Sequence, residues 1–165
     1  ALGDQLAADK KPKEAEAVLA DAVPVWEQLF ADNPNSPANV GGLVLTLTRL
    51  GMAIEARKDY PRARTILERA ENLRAASPQL LARDPDGSAA EQLLLLFIPR
   101  TLVNLGDHAG ASAYADRLAA LAGPSGPESA YNAGCYLARC STLAGKDEAL
   151  IRPGSADRPR CRPGR

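Results

Sequence analysis

Few residues of this chain have types and spacing suited to chemistry. His108 is the single histidine, set in Gly106-Asp107-His108. A general base needs a nucleophile within reach and an acid to orient its ring, and no such partner has a recognisable place beside it. A turn residue is expected instead. Asp84-Pro85-Asp86-Gly87 with Glu91 has the composition of a calcium loop. An EF-hand, however, places oxygen ligands at alternate positions before its Gly and a Glu six residues after it. Glu91 follows Gly87 by four, so a turn and a helix cap are expected. Cys135, Cys140 and Cys161 lack metal-ligand spacing; the odd set fits a reducing compartment, the cytoplasm, with Cys135 and Cys140 as small core fillers. No Gly-rich phosphate loop follows a strand pattern, and His-Arg-Asp and Asp-Phe-Gly are missing. No catalysis, cofactor or metal is expected.

Composition narrows the class. Twenty Lys and Arg balance twenty Asp and Glu, so no broad basic field exists to attract nucleic acid or an anionic membrane. The arginines at 152, 158, 160, 162 and 165 have no aromatic neighbours on which bases could stack, and a solvated tail is expected of them. The longest apolar run, Leu93 to Ile98, is far short of the ~18–20 residues that span a bilayer, and a soluble chain is expected. Alanine and leucine dominate, aromatics are 4%, and β-branched runs are missing. An all-α fold with one substantial core follows.

Stripes at helical spacing mark the elements that would position any site. Pro12 opens a helix with Ala15, Val18, Leu19, Ala22, Trp26 and Leu29 on one face, and Pro24 should kink or break it. Ser36-Pro37 caps the next, about Ala38 to Arg57. Pro61 opens a third, striped by Ala63, Ile66, Leu67, Ala70 and Leu73, that ends near Ser77-Pro78 or at Asp84-Pro85. Ser88 and Glu91 have capping-box spacing for a helix from Ala89 to Leu105. Its run Leu93 to Ile98 implies burial on several sides. A stripe through Ala111, Tyr114, Ala115, Leu118 and Leu121 follows. Ser125 and Glu128 then lead into Ala130 to Leu143. Residues 151–165, rich in Pro, Gly and Arg, are expected to be disordered.

The stripes repeat. Ala15, Ala63 and Ala111 are each 48 residues apart, and at that register Leu19, Leu67 and Ala115 coincide, as do Ala22, Ala70 and Leu118. Leu2-Gly3 falls on Leu50-Gly51. The pattern Leu50-Gly51, Ala63, Leu67, Ala70 resembles the tetratricopeptide repeat, a helix–turn–helix unit. This chain departs from it in having Pro99 at the Gly position, no Trp at the family's place, and a period of 48 against ~34. Longer helices or extra turns are implied. Tyr131-Asn132-Ala133-Gly134-Cys135 with Leu137-Ala138-Arg139-Cys140 is similar to the closing helix of tetratricopeptide segments in bacterial multidomain proteins, often alongside serine/threonine kinase domains.

The resemblance implies a right-handed α-solenoid of about three and a half units over residues 1–150, with a truncated unit at each end. It implies a scaffold that binds a protein or peptide in a concave groove lined by the first helix of each unit. Carried onto this chain, the groove positions are Thr48, Met52, Glu55 and Ala56, then Leu96, Arg100, Val103 and Asn104. Glu55, Arg100 and Asn104 are the polar candidates and Met52 an adaptable apolar one. Thr48 and Leu96 stand where a carboxylate clamp needs Lys, so capture of a chaperone tail is not implied. The alternative is a recruitment segment at the C-terminal side of a bacterial serine/threonine kinase. Uncapped ends, at Leu2/Leu19 and at Tyr131 to Leu143, would favour self-association.

Overall fold

The computed structural model describes residues 11–122 and 127–145. Residues 1–10, which hold Leu2-Gly3, the Ser125 cap and the 151–165 tail lie outside them. The described residues form seven helices and no strand: α1 (Pro12–Asp32), α2 (Pro37–Ala56), α3 (Tyr60–Ala76), the single turn α4 (Pro78–Leu81), α5 (Pro85–Asn104), α6 (His108–Ala122) and α7 (Pro127–Ala144). The chain is all-α, as its composition predicts.

The 48-residue repeat holds at the level of single atoms in the turns. The amides of Ala15, Ala63 and Ala111 donate to the carbonyls of Lys11, Asp59 and Asp107 at 3.0, 3.0 and 3.1 Å. Ahead of α3, the Lys58 amide donates to Glu55 O; ahead of α6, the Gly106 amide donates to Val103 O in the same way. Asp59 Oδ1 accepts from the Arg62 amide and Asp107 Oδ1 from the Gly110 amide, each capping the helix it precedes. Lys58 and Gly106 occupy the equivalent left-handed position, with φ of 64° and 80°. A side chain there costs roughly 1–2 kcal/mol that glycine avoids. Lys58→Gly should therefore stabilise the chain by about 1 kcal/mol, read as a rise of about 2–4 °C in the thermal midpoint.

Close approach between helices follows from small residues. Ala63 is fully buried, and a Cβ at Gly51 would lie 2.6 Å from Leu67 Cδ2, so α2 and α3 meet where the sequence stripe predicts. A Cβ at Gly42 would strike the Trp26 ring, which seats α1 on α2. Asn39 Nδ2 donates to Leu29 O at 2.7 Å at one end of that pair, and Arg57 pairs with Glu16 at the other, so α1 and α2 run antiparallel. Gly41 admits the Asp84 carboxylate at the start of α5, while Glu55 meets Arg100 towards its end, so α2 and α5 run parallel. Helix α5 packs against both α2 and α7, which makes one row of α2, α5 and α7; the ion pairs Arg62–Glu16 and Arg117–Glu71 link α1 to α3 and α3 to α6 in a second.

The core runs between these rows, from Ala15 and Leu19 through Val44, Leu47, Ile54 and Leu67 to Leu94, Ile98 and Ala111. A second cluster of Leu95, Ala115, Leu118, Ala133 and Tyr136 joins α5, α6 and α7.

Three expectations need correction. Of the kink or break expected at Pro24, the break does not occur: α1 is continuous to Asp32. Pro24 and Ala20 both lie on the exposed side, where water can take the freed carbonyl. The Ser88 cap is not used: α5 begins three residues earlier, where an extended Asp84 precedes Pro85 at the first helical position. Of the two described cysteines Cys140 is buried, but Cys135 is exposed rather than a core filler.

Candidate functional site

The row of α2, α5 and α7 carries the residues expected to line a groove, and the structure divides them. Met52 and Leu96 are half-buried, and Ala56 and Asn104 are exposed, so these four are open to a partner. Thr48 is not: it is fully buried, and its hydroxyl donates to Val44 O at 2.7 Å. Helix α2 has neighbours on several sides, and the Thr48 side of it is covered. Val103 is buried too.

Glu55 is also corrected as a direct contact. Its side chain is 3% exposed and accepts two hydrogen bonds from Arg100, from Nε and from Nη2, both at 2.7 Å. Two expected groove residues are thus partners that tie α2 to α5. The Arg100 guanidinium also lies over the Phe97 ring, 4.1 Å from its centroid. Burial alone would lower the Arg100 pKa, but the Glu55 carboxylate outweighs it and the net shift is upward, so the guanidinium stays charged. Asn104 Nδ2 donates to Arg100 O at 2.9 Å, which fixes the amide at the edge of the same surface.

Helix α7 contributes residues that the groove pattern omitted. Tyr136 donates its hydroxyl to Leu96 O at 2.7 Å. Pro99, fully buried inside α5, lies three residues on and lacks the N–H that would otherwise bond the Leu95 carbonyl. Burial, and to a lesser extent the nearby Glu55 carboxylate, raises the Tyr136 pKa, which keeps the phenol protonated as a donor. Arg139, one turn on, is exposed.

The opposite row is laced by ion pairs. Glu71, buried on α3, accepts from Arg74 at 2.7 and 2.9 Å and from Arg117 of α6 at 2.8 Å. Arg74 reaches on to Glu91 of α5 at 2.9 Å. Glu91 is thereby occupied and Asp84 sits at the helix start, so the calcium-like phrase does not converge. Among the described residues no group of three potential metal ligands exists. His108 is the first residue of α6, in the turn expected of it. No described helix is long and apolar enough to cross a membrane.

Glu71 makes the row sensitive to acid. Burial alone would raise its carboxyl, but Arg74 and Arg117 outweigh burial and hold it below the usual range. A lowered folded pKa adds stability that is complete above the unfolded value, about 4.3, and is lost as pH falls through the folded value. Glu71→Gln should flatten the fall in thermal midpoint below about pH 4.3, measured as melting against pH, beside a wild type that keeps the steeper fall.

Compared with protein-family models, with curated proteins and with solved structures, the chain matches none.

Proposed function

We propose that the chain is a protein-interaction module of the tetratricopeptide kind, a right-handed α-solenoid whose α2, α5 and α7 row forms a concave groove for a protein or peptide partner. The observation that carries the reading is the atom-for-atom repetition of the turn at Lys58-Asp59 and Gly106-Asp107, with Ala63 and Ala111 buried behind it. Units that repeat in this way bury their stripes against one another and leave a continuous surface on the row of first helices. Met52 and Leu96 supply adaptable apolar contact on that surface, and Arg100 and Asn104 supply polar contact. Glu55 serves from beneath by holding Arg100. The partner is a polypeptide rather than a polyanion, because a chain of zero formal charge offers no extended basic track. Self-association through the α7 end, where Tyr131 is 72% exposed, is the competing use of the same surface chemistry.

The test is selection of a peptide from a random library against the intact chain, followed by hydrogen exchange with and without the selected peptide. Protection centred on Met52, Leu96 and Asn104 supports the reading. Protection centred on α1 and α3 would contradict it.

A further inference from the structure

We infer that the α2, α5 and α7 row recognises an acidic stretch of its partner, with a carboxylate seated between Arg100 and Arg139. This rests on the groove reading above and adds the chemistry of what the groove takes.

The argument starts from how Arg100 is held. A free arginine side chain loses much rotational freedom when it grips an anion. Arg100 has lost that freedom already: Glu55 engages it side-on through Nε and Nη2, and Phe97 fixes the plane of the guanidinium. That pair does not use Nη1, and the side chain is still 39% exposed. A planar fork with one edge bound to the protein and the other open is pre-organised for a second carboxylate.

Arg139 supplies the second positive charge. Tyr136 pins α7 to α5 through Leu96 O, and Arg139 lies three residues further along α7. Arg100 lies four residues from Leu96 on α5 and Arg139 three from Tyr136 on α7, so each arginine is about one helical turn from the hydrogen bond that joins the two helices. Arg139 is exposed and has no side-chain partner among the described residues. Glu55, the acid that faces this cluster, is sealed beneath the surface and spent on Arg100. Among the described residues the outward charge is therefore positive, and its extent of two arginines beside Met52 and Leu96 suits one or two carboxylates within an apolar peptide. A nucleic acid would need a longer track of cations.

The probes are two blocked ten-residue peptides, identical except for a central Glu-Glu or Gln-Gln between leucines, titrated into the isotope-labelled full chain. The Glu peptide should move the Arg100 and Arg139 Nε–H and Asn104 side-chain resonances, and bind about tenfold more tightly than its Gln twin at low salt. High salt should shrink that difference. Arg139→Gln, an exposed change, should remove it while leaving the melting midpoint unchanged. Equal binding of both peptides with no effect of Arg139→Gln would overturn the acidic preference and leave the groove reading standing. If neither peptide moves these resonances, the inference falls, and the selected-peptide footprint decides the groove reading separately.

Discussion

Replacing Arg100 with alanine should destabilise the chain by about 3–5 kcal/mol, because it strands the Glu55 carboxylate. That side chain is 3% exposed, and both its oxygens are hydrogen-bonded to Arg100. Without the guanidinium the carboxylate must stay charged in a poor solvent or take up a proton. Replacing both residues with apolar ones, Glu55→Leu with Arg100→Met, should recover most of the loss, since a buried ion pair gains little over well-packed carbon. Denaturant unfolding of the wild type and these two variants measures both steps. If Arg100→Ala costs no more than an exposed pair, about 1 kcal/mol or less, the pair does not tie α2 to α5 as described.

Leu67→Ala should cost about 2–5 kcal/mol, the range for removing a buried leucine and leaving part of its volume empty. Leu67 is fully buried and lies over Gly51 of α2, closely enough that a Cβ there would sit 2.6 Å from Leu67 Cδ2. The same contact predicts coupling. Gly51→Ala should destabilise the wild type by overpacking, and in the Leu67→Ala background it should be neutral or stabilising, since the new methyl enters the space the leucine left and alanine favours the helix. A double-mutant cycle reads this as an interaction of about 0.5–3 kcal/mol. Additive effects would mean that the two residues are not in contact.

Much of the architecture is legible in the sequence because its causes are local. The Ala15, Ala63 and Ala111 register emerges from residue spacing alone, and each alanine is fully buried at the same turn. Ser36 caps α2 as its position before Pro37 predicts. The site was less legible, because its features depend on stagger between helices. The Glu55–Arg100 pair is 45 residues apart, as Glu71 and Arg117 are 46 apart, so an alignment at 48 never sets the partners side by side. Glu55 and Arg100 therefore read as two separate groove residues. Thr48 read as open because a groove pattern names positions without counting how many neighbours surround a central helix. Tyr136 was hidden for a similar reason: its partner is the backbone carbonyl of Leu96, a group that no side-chain pattern reports.

The measurement closest to the central claim is the affinity of a library-selected peptide for three forms of the chain: wild type, Met52→Glu on the α2, α5 and α7 row, and Asn72→Glu at an exposed place on α3. The account predicts that Met52→Glu weakens binding at least about tenfold, the size expected for a charge pressed into an apolar contact, while Asn72→Glu leaves it within about twofold. Loss of binding in Asn72→Glu with full binding in Met52→Glu would put the partner on the opposite row and contradict the account.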